Sequence, residues 1–192
     1  EFYEVFGQGG YFSDPHENLD FGNSGTGIRL MTGLLSTSEV NATLIGDQSL
    51  SSRPMDRVIK PLEKINVSIS YTNGSLPIRI FNQNKIHVPS SHKLEIGSAQ
   101  VKSAILLAAM NVKGITKIFE KIPSRDHTEI MLKYLGASLN VSNNCITLKS
   151  PNFLKPKNLT IPGDFSSAAF IIVAVLLSHN SKVKIKNVGL NF

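Results

Sequence analysis

Three times along the chain a glycine and a cluster of small polar residues lead into roughly ten residues of apolar helix former, a recurrence that sharply limits the possible folds. The segments are GNSGTGIRLMTGLLS (Gly22 to Ser36), GSAQVKSAILLAAM (Gly97 to Met110) and GDFSSAAFIIVAVLLS (Gly163 to Ser178). Each reads as a strand-to-helix turn followed by a buried helix, and their spacing sets a repeat of roughly 65 to 75 residues. Between them lie strand-like stretches, NATLIG, NVSISY, LPIRIF and KVKIKNV, and two helices with a polar face, RPMDRVIKPLEKI and HTEIMLKYLG. Asp126 or Thr128 is placed to cap the second of these helices, and Gly136 to end it. SLNVSNNCITL reads as two short strands around a turn at Asn143 and Asn144. The pattern predicts an α/β (α+β) chain built from a repeated unit, with a linker in KSPNFLKPKN (Lys149 to Asn158) and a domain crossing near residue 155.

The helix starts carry the functional signal. Free backbone N–H groups and the positive end of the macrodipole face whatever sits at each turn, and small residues let a phosphate or carboxylate approach. The same Ser, Thr and Asp residues serve equally as ordinary caps, so one such segment decides nothing; three in a basic chain tilt the reading toward anions. With 20 Lys and Arg against 14 Asp and Glu, the formal charge of +6 agrees. The basic residues are scattered and aromatics are few, so neither a stacking platform nor a phosphate-tracking helix is expected, and nucleic acid is not an expected partner. One cysteine, Cys145, and five dispersed histidines give no disulfide within the chain and no metal-ligand spacing. The longest apolar run, AAFIIVAVLL, has ten residues, too few to span a bilayer. EFYEVFGQGGYF lacks the pattern of a leader, and a reducing, cytoplasmic setting fits.

Four stretches in order, LDFGNSGTGIRLMTGLL, GDQSLSSRPMDRVIKPL, SAQVKSAILLAAMNVKGIT with PSRDHTEIMLKYLGA, and IPGDFSSAAFIIVAVLL with IKNVGLN, resemble the 5-enolpyruvylshikimate-3-phosphate synthases. The resemblance spans nearly the whole chain. It implies the enolpyruvyl transferase fold: repeated βαβαββ units with their helices packed inside the sheets, two domains, and a cleft between them that closes on substrate. It assigns residues 1–155 to most of the first substrate-binding domain, its first repeat partly missing, and 156–192 to the start of the second. It implies transfer of the enolpyruvyl group of phosphoenolpyruvate to the 5-hydroxyl of shikimate 3-phosphate, with no cofactor, no metal, these two small molecules as partners and a monomeric complete protein.

Carried over residue by residue, the resemblance places Asn23, Gly25, Arg53 and Gln100 on phosphoenolpyruvate. Ser98, Ala99, Gln100, Ser124 and Arg125 fall on shikimate 3-phosphate. Many family members have a second Ser where this chain has Ala99, so a contact there must come from the backbone. Arg53 has the planar fork suited to a carboxylate or phosphate; taken alone it reads equally as half of a surface salt bridge. Arg125 could equally pair with Asp126 or Glu129 at its helix start. Gly25 leaves room for the competing inhibitor glyphosate, which implies sensitivity. Lys102, one turn into an apolar helix, either snorkels or neutralises an internal acid. Asp164 reads as a helix cap.

The family's acid/base residues, in an early Lys-Ser segment and in an Asp, a Lys-Glu pair and further Arg residues beyond Phe192, are expected outside this chain, which alone should have little activity. A rival in the same fold, UDP-N-acetylglucosamine enolpyruvyl transferase, carries a reactive Cys just before its matching Arg-Pro; here that loop reads GDQSLSSRP. A rival of another class is a non-catalytic phosphate- or RNA-binding module built on the same helix starts.

Overall fold

Two sheets of identical topology carry most of the chain in a computed structural model that describes residues 4–7, 9–81, 85–150 and 153–191. The first joins β1 (Leu19–Asp20), β2 (Asn41–Ile45), β3 (Ile69–Thr72) and β4 (Ser75–Phe81) in the order β1-β2-β4-β3. The second joins β5 (Ser91–Leu94), β6 (Gly114–Glu120), β7 (Leu139–Ser142) and β8 (Cys145–Ser150) in the order β5-β6-β8-β7. In each sheet the first pair is parallel and the others antiparallel. The parallel pairs need crossovers, supplied by α1 (Gly25–Leu35) and α4 (Ala99–Ala109). After β2 come α2 (Gln48–Ser51) and α3 (Asp56–Glu63); after β6 comes α5 (His127–Tyr134). The repeated βαβαββ unit is therefore present twice.

Sequence pattern explains the layering. Alternate residues of β2, β6 and β8 are buried, so each sheet turns one face inward. The helix α4 has almost no polar face, and Val101, Ala104, Ile105, Leu106, Ala108 and Ala109 are all buried. It lies inside, against α3, β6 and β8. Each large apolar side chain removed from water there contributes about 1.5–3 kcal/mol. A second cluster joins Ile28 and Leu35 of α1 to Leu44, Leu50, Ile59, Ile78 and Ile80. The hairpin at Asn143 and Asn144 forms as expected: both have positive φ, 49° and 59°, as a primed two-residue turn requires.

The helices α1 and α4 run side by side in the same direction. Arg29 meets Gln100 and Thr37 meets Ala108, each pair 71 residues apart. Between these pairs Gly33 packs directly on the backbone of Ala104; a Cβ at Gly33 would fall 2.2 Å from the Ala104 carbonyl oxygen. Only a residue without a side chain permits that approach, and it aligns the two helix N-termini at one end of the molecule.

The third glycine-led segment forms α6 (Phe165–Leu176), capped by Asp164, whose carboxylate accepts from Ser166 N and Ser167 N at 3.2 and 2.8 Å. Its face is unlike that of the other two: Ala168 is the only described residue of α6 that is buried, and Phe170 is 81 % exposed. KVKIKNV, expected as a strand, forms none. Its only pairing among the described residues is a parallel bridge from Val188 to Gly163, too short a partner to sustain a ladder, and Val183 and Ile185 stay partly exposed. The expected linker starts too early, because Lys149 and Ser150 end β8. Its residues 151 and 152 lie outside the described residues, as do 1–3 and 8 of the segment read as lacking a leader, and Phe192.

Candidate anion site at two parallel helix starts

Asn23, Gly25 and Arg53 converge at the start of α1. Asp47 caps α2, accepting from Leu50 N at 2.7 Å, and its other oxygen accepts from the Asn23 amide at 2.8 Å. That bond turns the Asn23 carbonyl oxygen toward Arg53, whose Nη2 donates to it. The Leu50 and Asn23 donors hold the Asp47 carboxyl below its ordinary pKa, so it stays ionised and the chain Asp47–Asn23–Arg53 keeps its polarity. Ser49 Oγ accepts a second bond from Arg53 at 3.3 Å. Arg53 is therefore aimed by its neighbours; no salt bridge to it occurs among the described residues.

A second guanidinium, which sequence reasoning missed, completes this cluster. Arg29 lies one turn beyond Gly25, and its Nη1 donates both to Gly25 O at 3.0 Å and to Gln100 Oε1 at 3.1 Å. Partial burial, then the positive charges of Arg53 and Arg57, lower its pKa. A Cβ at Gly25 would sit 2.9 Å from Arg29 Nη1 and 2.9 Å from Arg53 Nη1, so both guanidiniums face the same bare stretch of backbone. Like charges gathered without an intervening carboxylate are unfavourable unless an anion joins them. The signal available in the sequence was a single Arg in the apolar run GIRLMTGLL.

The start of α4 forms the other half. Ser98, Ala99, Gln100, Ser124 and Arg125 line one open cleft of about 750 Å³, with Gly97 and Ile122. Ser98 caps α4, its Oγ accepting from Val101 N at 3.5 Å, which leaves the hydroxyl proton free to donate outward. The N–H groups of Ala99 and Gln100 fall in the first helical turn, where no intrahelical acceptor exists. Arg125 is exposed and forms no ion pair with Asp126 or Glu129, the alternative raised by its position; Asp126 accepts from Asn191 at 2.7 Å and Glu129 binds Lys102. Asp126 does precede α5, without a side-chain capping bond. The Ser124 hydroxyl donates to Glu120, so toward the cleft this residue offers backbone rather than a free O–H. A smaller adjoining cavity, lined by Thr26, Ala99, Gln100, Arg125 and Thr128 among others, runs toward α1.

Gln100 joins the halves. Its Oε1 accepts from Arg29, and its Nε2 donates to Thr26 Oγ1 at 2.8 Å with one N–H to spare. The eight residues picked out from the sequence thus fall at one end of the molecule, five in the α4 cleft and three around Gly25. The mainly apolar groove beneath α6, lined by Phe170, Ile171 and Val183 among others, adds one cation, Lys182, and the hydroxyls of Ser178 and Ser181, but no guanidinium. Among the described residues no cluster of His, Cys, Asp and Glu suits a metal ion, and no helix is long and apolar enough to cross a membrane.

The family model for EPSP synthase (3-phosphoshikimate 1-carboxyvinyltransferase) matches residues 1–192. The chain belongs to the EPSP synthase family. A 3-phosphoshikimate 1-carboxyvinyltransferase of Leuconostoc citreum is 47% identical over 178 residues, covering 92% of this chain and 41% of that protein. One from Novosphingobium aromaticivorans is 44% identical over 196 residues, covering 98% and 44%. Among solved structures, EPSP synthase from Acinetobacter baumannii superposes with a TM-score of 0.82 at 38% identity, over 92% of this chain and 40% of that one. The fold is thus the one these EPSP synthases share, and the chain spans about two fifths of the length of the relatives it matches.

Proposed function

We propose that this chain supplies the half of an EPSP synthase site that holds both anionic substrates, shikimate 3-phosphate in the α4 cleft and phosphoenolpyruvate against Gly25. The observation that carries this reading is the convergence of Arg29 and Arg53 on the bare backbone of Gly25, beside a second helix start that carries Ser98, Gln100 and Arg125. Two anions that repel each other need separate positive cradles held at a fixed distance, and the Gln100 side chain, bonded to both Thr26 and Arg29, fixes it.

In the reaction, the 5-hydroxyl of shikimate 3-phosphate gives up its proton as its oxygen bonds to C2 of phosphoenolpyruvate, and C3 takes a proton, giving a tetrahedral adduct. The C–O bond to phosphate then breaks, C3 loses a proton, and the enolpyruvyl ether and inorganic phosphate result. On this reading Arg53 and Arg29 neutralise the phosphoenolpyruvate anion, with Asn23 fixing Arg53. Ser98, the backbone at Ala99, the Ser124 backbone and Arg125 hold the other phosphate, and Gln100 orients the ring hydroxyls. The proton transfers belong to groups outside these residues. Residues 1–155 form the first-domain portion and 156–192 open the second, consistent with two complete sheets before residue 151. A monomeric, cytoplasmic complete enzyme without nucleic-acid partners belongs to the same reading.

Calorimetric titration of the chain with shikimate 3-phosphate and with shikimate tests the assignment. Binding that requires the phosphate is expected. Equal affinity for the two, or none for either, contradicts it.

A further inference from the structure

The ammonium of Lys102 sits in the core beside the α4 cleft, its side chain only 1% exposed. Its three protons meet three acceptors: Glu120 Oε2 at 2.9 Å, Glu129 Oε1 at 2.7 Å and the Ser124 carbonyl at 3.1 Å. These acceptors come from the end of β6, from the loop that follows and from α5, so one group on α4 ties down the whole connection that carries Arg125. Glu120 also accepts from the Ser124 hydroxyl, which fixes that residue at both its side chain and its carbonyl. A buried cation in an otherwise apolar helix is costly, and apolar packing would serve stability as well. The arrangement makes sense if what it delivers is position.

We infer that Lys102 is a positioning residue: it sets the Ser124–Arg125 loop against the start of α4 so that the Ser124 backbone and the Arg125 guanidinium meet the phosphate that Ser98 meets from the other side. This rests on the reading of the cleft as the shikimate 3-phosphate site. Lys102 itself, buried and with all three ammonium protons committed, has none to offer to the cleft. Glu129 Oε2, buried with no partner among the described residues, marks the second carboxylate as the less committed member of the cluster.

The test compares the parent chain, Glu129→Gln, and Lys102→Met combined with Glu129→Gln. The double variant loses one positive and one negative group, so the net charge of the core is unchanged while the tie to Ser124 is cut. Affinity for shikimate 3-phosphate is expected to fall about tenfold to a hundredfold in the double variant, the value of a lost charge-assisted contact, and to hold in Glu129→Gln. Amide hydrogen exchange should accelerate at Ser124 to Asp126 and stay unchanged at Gly22 to Thr26, a localised effect that general loss of stability does not produce. If the double variant does not fold, Lys102→Arg keeps the buried charge without the three-way ammonium geometry, and the same loss of affinity is expected of it. Parent-like affinity in the folded variant, or an equal loss in Glu129→Gln alone, overturns the inference while leaving the site assignment intact. A parent chain that does not bind shikimate 3-phosphate overturns both.

Discussion

Arg29 on α1 and Gln100 on α4 are bonded to each other, Nη1 to Oε1 at 3.1 Å, across 71 residues of sequence. The same nitrogen donates to Gly25 O, and Nη2 reaches Pro54 O at 3.4 Å. One guanidinium therefore links the first turn of each repeat to the loop that carries Arg53. Arg29→Lys keeps the charge but cannot serve these acceptors from a planar fork. Calorimetry should show affinities for both phosphoenolpyruvate and shikimate 3-phosphate falling, each roughly tenfold. Undiminished affinity for both would remove Arg29 from the site.

Gly25→Ala should spare the fold and damage the site. The added Cβ crowds the ends of two long side chains, Arg29 and Arg53, which can swing away at little cost to stability, and meets Leu50 Cδ1 at an ordinary 3.9 Å. In swinging away they leave the anion. An unchanged melting temperature with phosphoenolpyruvate affinity reduced about tenfold is the expected pair of results from calorimetry and thermal melting.

Gly33→Ala should do the reverse. Here the added Cβ meets backbone, 2.2 Å from Ala104 O and 2.6 Å from Ala104 Cα, so α1 and α4 must separate. Overpacking of this kind costs about 1–3 kcal/mol or more, a fall in melting temperature of roughly 3–10 °C. Differential scanning calorimetry reads it directly; a shift below a degree would contradict the close helix contact.

Several of these features were legible in the sequence and others were not, for local reasons. The glycine-led helices and the Asn143–Asn144 hairpin are written in adjacent residues, so the repeat could be read from turn chemistry and hydrophobic runs. The edge strands β1 and β5 were not picked out: two residues and SHKL leave almost no alternation to see. Arg29 stayed hidden because its significance depends on Gln100, in the next repeat. Lys102 could be narrowed to snorkelling or neutralising an acid, and the structure selects the second, but its partners Glu120 and Glu129 are found only by folding β6 and α5 around α4. KVKIKNV misled because alternation states a preference for pairing without naming a partner.

His92 makes stability fall in mild acid. Burial, then the nearby positive charge of Lys64, lowers its pKa from 6.5 to about 4, so the folded state disfavours the proton that the unfolded chain accepts. The unfolded chain then binds more protons between those values, and stability rises with pH. The contribution is complete above pH 6.5 and is lost as pH falls toward 4, on the order of 3 kcal/mol. Chemical denaturation across that window should show a flatter pH dependence for His92→Asn than for the parent, and equal slopes would contradict a buried neutral imidazole.

The most direct measurement is an amide-resolved NMR titration of the isotope-labelled chain with shikimate 3-phosphate. Dispersed resonances are expected, with shifts that concentrate at Gly97 to Val101 and Ser124 to Asp126 and smaller effects at Thr26 and Arg29 through Gln100. A dispersed spectrum left unmoved at millimolar ligand, or shifts confined to residues away from the two helix starts, would contradict the assignment of the α4 cleft as the phosphate site.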